Sequence, residues 1–171
     1  IPVIAILHGF STAGGAYQIG MSDYVIGVKG NGMAALAGSA LLKAATGENA
    51  SNSDIGGVEM HSVVTGSVEY LVNDDAESII TVRKLIDQLN WNENDAQKTI
   101  LNFEEPEYPI EDLAGIVPTD YSKGYDVREV IARLVDQSVF IELKPKYGIS
   151  MVCAQAKIEG IQCGILSLIH I

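Results

Sequence analysis

The beginning of the chain consists of short apolar runs separated by glycine-rich turns. Val3–Leu7 is a continuous apolar run between Pro2 and Gly9, a pattern typical of a strand that is buried on both faces. Tyr24–Val28 predicts a second strand, and its glycine-rich exit leads to Ala34–Gly38. The order strand, tight turn, helix and strand indicates the ββα rhythm of an α/β domain.

The turn after the first strand is made of small residues. Ser11 and Thr12 are candidate helix N-caps. The four residues after them let the backbone approach a ligand or another strand closely, and they are Ala13, Gly14, Gly15 and Ala16.

Helical periodicity follows in two segments. Ser39–Thr46 predicts a helix that ends at Gly47. Asp74–Leu89 begins with acidic residues and repeats apolar residues at helical spacing, which predicts an amphipathic helix. Between the two helices, the glycines of residues 56–66 predict a loop-rich segment that contains His61.

The pattern divides the chain into two domains. Residues 90–117 are mostly polar and acidic and show little periodicity, so we predict a linker between residues 1–89 and residues 118–171. The second of these regions contains a predicted helix, Val127–Val135, whose apolar residues repeat at helical spacing.

The end of the chain predicts a β-hairpin. Two β-rich runs, Ser150–Ile158 and Ile161–Leu168, are separated by Glu159-Gly160, which is a two-residue turn of the hairpin kind. The chain also opens inside a predicted strand without an initiator Met, so we expect it to be a piece of a longer protein.

Composition and charge exclude several classes of protein. Of the 171 residues, 47% are hydrophobic and 19% are charged, which is too apolar for a disordered chain. The net charge of −11 argues against nucleic-acid and anionic-membrane binding, because both require clustered Lys and Arg. An anionic ligand would have to be held locally, as backbone amides at a helix N-terminus can do. No apolar run approaches the ~20 residues that span a bilayer, so we expect no membrane anchor.

Cysteine and histidine are too scattered to predict a metal site. Cys153 and Cys163 lack CxxC spacing, so we interpret them as structural thiols in a reducing compartment. His8, His61 and His170 form no HExxH motif and no Cys/His cluster, so we expect no protein-bound metal. His61 is a candidate general base, although a lone His in a glycine-rich loop is more often structural.

Gly14 and Gly15 are the strongest candidates for chemistry. A buried strand delivers them to a helix N-terminus, where unpaired N–H groups and the helix dipole favour negative charge. Such a turn can hold an enolate or another oxyanion. The alternative is that the two glycines only allow close packing between helix and strand.

Several separated motifs resemble one family in the same order. The sequence resembles the carboxyltransferase (beta) subunits of biotin-dependent acyl-CoA carboxylases, which act on acetyl-, propionyl- or methylcrotonyl-CoA. The resemblance runs from Ile1 to about Ile165. It is carried by Ser11–Asp23 (STAGGAYQIGMSD), Leu36–Glu48 (LAGSALLKAATGE), Gly56–His61 (GGVEMH), Asp126–Asp136 (DVREVIARLVD), Phe140–Gly148 (FIELKPKYG) and Gly160–Ile165 (GIQCGI).

The resemblance implies a crotonase-like (ClpP/crotonase) α/β fold built as a ββα superhelix. Residues 1–89 would be the C-terminal part of the acyl-CoA-binding domain, and residues 118–171 the beginning of the biotin-facing domain. Carboxylate passes in this family from N1 of biotin to the α-carbon of an acyl-CoA. The released ureido anion is commonly proposed to take the α-proton, so no side-chain base is required.

The resemblance also implies site residues. The amides of Gly14 and Gly15 would stabilise either the thioester enolate or the ureido oxygen of biotin, and the two possibilities stay open. The substrate-binding residues implied beside them are Ala13, Ala16, Tyr17, Gly38 and Ser39. The chain departs from the family pattern at Ser39-Ala40, where two prolines are usual, and at Gln18-Ile19. Lys29, Lys43, Lys144 and Lys146 are either partners of the CoA phosphates or solvated surface lysines.

Partners and compartment follow from the same resemblance. Biotin would arrive on a partner, because the chain has no Met-Lys-Met biotinylation segment. The expected partners are a biotin carboxylase, a biotin carboxyl carrier subunit and further copies of the chain, with the active site between subunits. The implied location is the cytoplasm, or the mitochondrial matrix in a eukaryote. We expect these 171 residues alone to be inactive.

Two alternatives and one mismatch remain. The chain could be the carboxyltransferase subunit of a biotin-dependent decarboxylase, or a non-catalytic assembly protein of the same fold. Leu166–Ile171 does not match the continuation expected after Ile165, so we interpret this tail as an artefact.

Overall fold

The computed structural model describes residues 1–89, 103–120 and 122–168. These residues form two compact units, Ile1–Asp87 and Gln88–Ile171. Residues 90–102 of the predicted linker, and residues 169–171 of the tail with His170, lie outside the described residues. None of the helices in the described part of the chain has the length and apolar character required to cross a bilayer.

The first unit is built on parallel strands. Its strands are β1 (Ile4–Leu7), β2 (Phe10–Thr12), β3 (Tyr24–Val28), β4 (Met33–Ala35) and β5 (Tyr70–Val72). Its helices are α1 (Gly14–Gly20), α2 (Ser39–Thr46), α3 (Asn52–Gly56), α4 (Val58–Met60) and α5 (Asp75–Leu89), and a π-helical turn covers His61–Thr65. One parallel sheet has the order β1-β3-β5, and a second consists of β2 and β4.

The central strand β3 carries a core on each face. Val25 packs with Leu7, Val58 and Val68 on one side, and the next residue, Ile26, packs on the other side with Val28 and Val72. This alternation follows from the two-residue period of a strand. The predicted strand Tyr24–Val28 is confirmed as β3, and β1 also contacts both cores, with Leu7 in one and Ile4 and Ile6 against the other.

Of three predictions about helices, two are confirmed by the structure and one is wrong. The helix Ser39–Thr46 is confirmed with its stated bounds, and Gly47 ends it with a left-handed φ of 78°. The amphipathic helix is confirmed as α5, which begins at Asp75. The prediction of Ser11 and Thr12 as N-caps is wrong, because Ser11 and Thr12 belong to β2 and Ala13 occupies the cap position.

The loop-rich segment predicted over residues 56–66 is also wrong, since α3, α4 and the π-helical turn cover most of it. A capping box starts α3: the Ser51 hydroxyl accepts from the Asp54 N–H at 3.1 Å, and the Asp54 carboxylate accepts from the Ser51 N–H at 3.2 Å. The Ser51 hydroxyl also donates to Asp54 Oδ2 at 2.6 Å, and this bond, followed by the one from the Ser51 N–H, lowers the pKa of Asp54. Gly56 ends α3, where a Cβ would lie 2.3 Å from Ala34 O, and Gly57 in extended conformation separates α3 from α4.

The second unit joins short helices to an antiparallel sheet. Its elements are α6 (Leu113–Ile116), α7 (Val127–Ile131), β6 (Phe140–Leu143), β7 (Met151–Ile158) and β8 (Ile161–Leu168). The strand order is β6-β7-β8. Val152 and Ala156 of β7 are buried against Val127, Ile131 and Val135, and these five residues form the core of the unit.

Helix α7 is shorter than the predicted Val127–Val135. After Ile131 the chain continues in tighter turns, in which Arg133 N–H donates to Val130 O and Leu134 N–H to Ile131 O. The apolar spacing persists through these i to i+3 bonds, so the sequence pattern extends beyond the α-helix.

The predicted hairpin between β7 and β8 is confirmed. Its central residues, Glu159 and Gly160, have φ values of 51° and 76°, as in a type I′ turn. The Asp136 carboxylate accepts the N–H groups of both, at 2.8 and 2.7 Å.

The described part of the predicted linker belongs to the second unit. Residues 110–112 form a 3₁₀ turn that leads into α6. The Arg133 guanidinium lies 3.4 Å from Asp112 Oδ2 and 5.2 Å from the centre of the Tyr108 ring. The linker boundaries stay a prediction, because residues 90–102 are not described.

Gly27 lets α4 approach the sheet, and its substitution tests this packing. A Cβ at Gly27 would lie 2.7 Å from Val58 Cβ, so Gly27→Ala should lower the free energy of unfolding by about 1–3 kcal/mol through overpacking. Gly20→Ala is the matched control, because a Cβ there meets no atom within 4 Å. Chemical denaturation of both variants decides, and equal stability would contradict the steric account.

Burial raises the pKa of Tyr70 well above its ordinary value, and Tyr24 and Glu69 raise it further. In the unfolded chain Tyr70 ionises near pH ~10, while the folded chain keeps the proton, so unfolding releases a proton and stability falls as pH rises. Tyr70→Phe removes this contribution. The variant should lose less stability than the wild type between about pH 9 and pH 11 in denaturant titrations. Parallel pH profiles would contradict the assignment.

Candidate active site

The turn before α1 has a strained backbone. Ala13, the N-cap of α1, has φ 50° and ψ −118°, a conformation that L-residues other than glycine rarely adopt. Two hydrogen bonds hold it there: Ala13 N–H donates to Ala35 O at 3.1 Å, and Ala13 O accepts from Ala16 N–H at 3.0 Å. Strain of this kind persists only where surrounding contacts impose it, and it concentrates at functional sites.

The strained turn presents two backbone amides. The N–H groups of Gly14 and Gly15 have no hydrogen-bond acceptor among the described residues, as expected for the first turn of a helix. A Cβ on Gly15 would lie 2.7 Å from Ser11 Oγ, whereas a Cβ on Gly14 would meet no atom within 4 Å. The packing of the chain therefore gives no steric reason for glycine at position 14.

Strand β4 connects this turn to α2. The parallel register pairs Ser11 with Ala34 and Thr12 with Ala35, and the Ala13–Ala35 bond extends the ladder by one residue. Beyond β4, Leu36 and Ala37 lead to Gly38, the N-cap of α2. The structure thus links the two groups of predicted site residues, 13–17 and 38–39, through one short strand.

The N-terminus of α2 is partly occupied by the protein itself. Ser39 N–H donates to the side-chain oxygen of Asn52 at 2.9 Å. No sequence pattern predicts this cap, since Asn52 follows Ser39 by 13 residues and belongs to another helix. The Ser39 amide is therefore already hydrogen bonded within the protein.

Two largely apolar cavities lie beside β4, with volumes of about 180 and 570 Å³, and Ala13, Gly14 and Gly15 line neither of them. Both are lined by Ala34, Ala35, Leu36 and His61. Ala16 and Ile19 of α1 contribute to the smaller one, and α2 contributes to the larger one through Leu41, Leu42 and Ala45. Tyr17 is 61% exposed and lines neither cavity.

The remaining candidates are engaged elsewhere or exposed. Lys29 Nζ donates to Asn73 Oδ1 at 2.6 Å, and the His8 ring lies 3.6 Å from Asp75 Oδ1 at the surface. His61 contacts Ala34 O and Thr65 Oγ1 through its two ring nitrogens. In the described part of the chain, no three His, Cys, Asp or Glu side chains are grouped closely enough to hold a metal ion.

Both cysteines lie in the second unit, away from these residues in sequence. Cys153 is in β7 and Cys163 in β8, and both are free thiols. Burial raises the pKa of Cys163, and the charge of Asp136 raises it further. A raised pKa leaves the thiol protonated and weakly nucleophilic, which agrees with a structural role.

A family model described as carboxyl transferase domain matches residues 1–168. The chain belongs to the carboxyl transferase domain family. This carboxyl transferase chain is 43% identical over 167 residues to the mitochondrial methylcrotonoyl-CoA carboxylase beta chain of Dictyostelium discoideum. The match covers 98% of this chain and 28% of the relative. It is also 43% identical over 167 residues to the probable biotin-dependent acyl-coenzyme A carboxylase beta2 subunit of Mycobacterium tuberculosis. That match covers 98% of this chain and 31% of the relative.

A solved structure extends the comparison to the fold. The crystal structure of transcarboxylase 12S with hydrolyzed methylmalonyl-coenzyme A bound matches this carboxyl transferase chain with a TM-score of 0.86 and 32% identity, covering 99% of this chain and 33% of that one. The crotonase-like α/β fold is thereby confirmed. The chain spans about a third of the length of the relatives it matches.

The comparison corrects the interpretation of the tail. Leu166–Leu168 belongs to the family match and continues β8, where Cys153 pairs with Leu166 and Met151 with Leu168. The interpretation of Leu166–Leu168 as an artefact is therefore wrong, whereas residues 169–171 lie outside both the family match and the described residues.

Ala13 provides a test of the strain. Ala13→Gly should raise the free energy of unfolding by about 1 kcal/mol, because relief of ~1–3 kcal/mol of strain exceeds the entropic cost of glycine. Ala16→Gly, three residues later inside α1, should instead lower it by roughly 0.5–1 kcal/mol. Denaturant unfolding of both variants measures the difference, and destabilisation by Ala13→Gly would show that the backbone is unstrained.

Proposed function

We propose that the chain is part of the carboxyltransferase component of a biotin-dependent acyl-CoA carboxylase. The observation that carries the proposal is the strained Ala13 turn, in which the amides of Gly14 and Gly15 have no acceptor among the described residues and directly precede Ala16, which lines the smaller cavity. Membership of the carboxyl transferase domain family supports the reaction class. The names of the relatives with 43% identity favour a carboxylase over a decarboxylase or an assembly protein.

The proposed reaction replaces the α-proton of an acyl-CoA by carboxylate. Loss of the α-proton places negative charge on the thioester oxygen, and two converging N–H donors stabilise that charge. A single donor of this kind contributes on the order of 2.7–4 kcal/mol of transition-state stabilisation. The amides of Gly14 and Gly15 are suited to this role because no acceptor in the described part of the chain occupies them.

Carboxybiotin, carried by a partner, would supply the activated carboxylate. The donor set fits its ureido oxygen as well as it fits a thioester oxygen, because both are carbonyl oxygens that only accept hydrogen bonds. The assignment of Gly14 and Gly15 to one of the two oxygens therefore stays open.

The remaining site residues have distinct proposed roles. Ala13 and Ala16 shape the turn, and Ala16 contributes to the smaller cavity, where an acyl group would be bound. Tyr17 and Gly38 are proposed substrate contacts at the two ends of this region. Because Asn52 occupies the Ser39 amide, Ser39 would contact substrate through its side chain.

We propose that each unit belongs to a domain that binds one of the two substrates. We assign residues 1–89 to the acyl-CoA-binding domain and residues 118–171 to the biotin-facing domain, and the division of the chain at Asp87 and Gln88 supports this assignment. A biotin carboxylase, a biotin carboxyl carrier subunit and further copies of the chain are the proposed partners. The compartment, cytoplasm or mitochondrial matrix, stays a prediction.

The direct test is an assay of the full-length protein with its cognate biotin partner. Carboxylation of a panel of acyl-CoAs, from acetyl to branched and longer chains, is followed by incorporation of labelled bicarbonate. One or a few acyl-CoAs should react well above the rest, because each methylene in an apolar pocket changes selectivity by about 1–3 kcal/mol. No incorporation with any member of the panel would overturn the proposal.

Gly14→Ala tests the role of the turn within that assay. The new methyl group meets no protein atom within 4 Å, so the protein should fold normally. It would crowd an oxygen bound at the amides, and a displacement of about 1 Å should lower kcat/KM about a hundredfold.

Gly9→Ala is the matched control, because its methyl group also meets no atom within 4 Å. This variant should retain the kcat/KM of the wild type. If Gly14→Ala and Gly9→Ala were equally active, the Gly14 amide would not face the substrate.

A further inference from the structure

The segment Gly56–His61 packs on the edge of β4 that does not face β2. Val58 N–H donates to Gly32 O at 3.1 Å, and Met33 and Gly57 form an isolated antiparallel bridge. A Cβ on Gly56 would collide with Ala34 O, so glycine is required for this approach. The motif GGVEMH therefore packs against the backbone of β4.

The side chain of His61 completes this edge. Its Nε2 lies 2.7 Å from Ala34 O, and because a carbonyl oxygen only accepts, Nε2 carries the proton and donates it. Nδ1 lies 3.0 Å from Thr65 Oγ1. No regular strand pairs with this edge in the described part of the chain, so the imidazole supplies the donor that a neighbouring strand would otherwise provide.

The two carbonyl groups at the end of β4 point in opposite directions. Ala34 O receives His61, and Ala35 O receives the N–H of Ala13 in the strained turn. Successive carbonyl groups of a strand alternate in direction in this way. Because Ala34 and Ala35 are adjacent in the chain, a shift of one carbonyl group also moves the other. The His61 ring and the amides of Gly14 and Gly15 are thus connected through two consecutive peptide groups.

We propose that His61 is a positioning residue that holds β4 in place and thereby fixes the Gly14–Gly15 turn. The inference rests on the proposed function only for its effect on catalysis. Strand β4 has three residues, so loss of one of its edge bonds removes a large part of its support. Because the Nε2 N–H is donated to Ala34 O, proton transfer through Nε2 would break the bond that supports β4.

Three variants of the full-length protein separate this role from others. His61→Gln keeps an N–H donor at the reach of Nε2. His61→Leu removes the donor at similar size, and His61→Asn, whose amide is too short to reach Ala34 O, replaces it if the Leu variant fails to fold. Thr65→Val is the matched control, because it removes the contact at Nδ1 and leaves the bond to Ala34 intact.

Two measurements are made on each variant. Steady-state kinetics with the acyl-CoA should show kcat lowered about tenfold to a hundredfold in His61→Leu, with KM changed less than about threefold. Hydrogen exchange, followed by mass spectrometry, should be faster in the peptide that contains Ala13 and Ala16, whose amides are hydrogen bonded in the turn. His61→Gln and Thr65→Val should resemble the wild type in both measurements.

Each contrary outcome has a definite meaning. Wild-type kcat and exchange in His61→Leu would overturn the proposal. An equal loss of kcat in His61→Gln and His61→Leu would also overturn it, because it would indicate proton transfer by the imidazole. If the wild-type protein carboxylated no acyl-CoA, the proposed function would fail, and the exchange measurement alone would decide whether His61 holds the turn.

Discussion

The parallel pairing of β2 with β4 is the interaction on which the candidate site depends. It contains three residue pairs and ends with the hydrogen bond between Ala13 and Ala35. That bond helps to hold Ala13 in a conformation that costs free energy, and the geometry of the next two amides follows from it. A three-residue ladder is weak by itself, so α1 on one side and the segment Gly56–His61 on the other are required to support it.

Features that depend on local chemistry could be predicted from the sequence. The helix Ser39–Thr46 ends at a glycine with positive φ, and Gly160 supplies the glycine that a two-residue hairpin turn prefers at its second position. The apolar runs of β1 and β3 are continuous because both strand faces are covered. In each case the residues that carry the predictive signal are adjacent in the chain.

Features that depend on distant contacts could not be predicted. Gly56 suggests a loop when read alone, but it is small because Ala34 O lies against it. Ser11 has the chemistry of a helix cap, yet its pairing with Ala34 draws it into a strand. At the site, the sequence offers Gly14 and Gly15 as candidates, whereas the strain at Ala13 and the capping of α2 by Asn52 became visible only in three dimensions.

The Asp136 carboxylate changes which residues the β7–β8 hairpin can tolerate. Glu159 has a positive φ, a conformation for which Asn, Asp or Gly is usual in such turns, and its N–H is satisfied by a side chain 23 residues earlier. The turn therefore needs less help from its own sequence. The sequence requirement is thereby shared between the turn and a remote aspartate, so the tip tolerates a residue of poor turn propensity as long as that carboxylate is present.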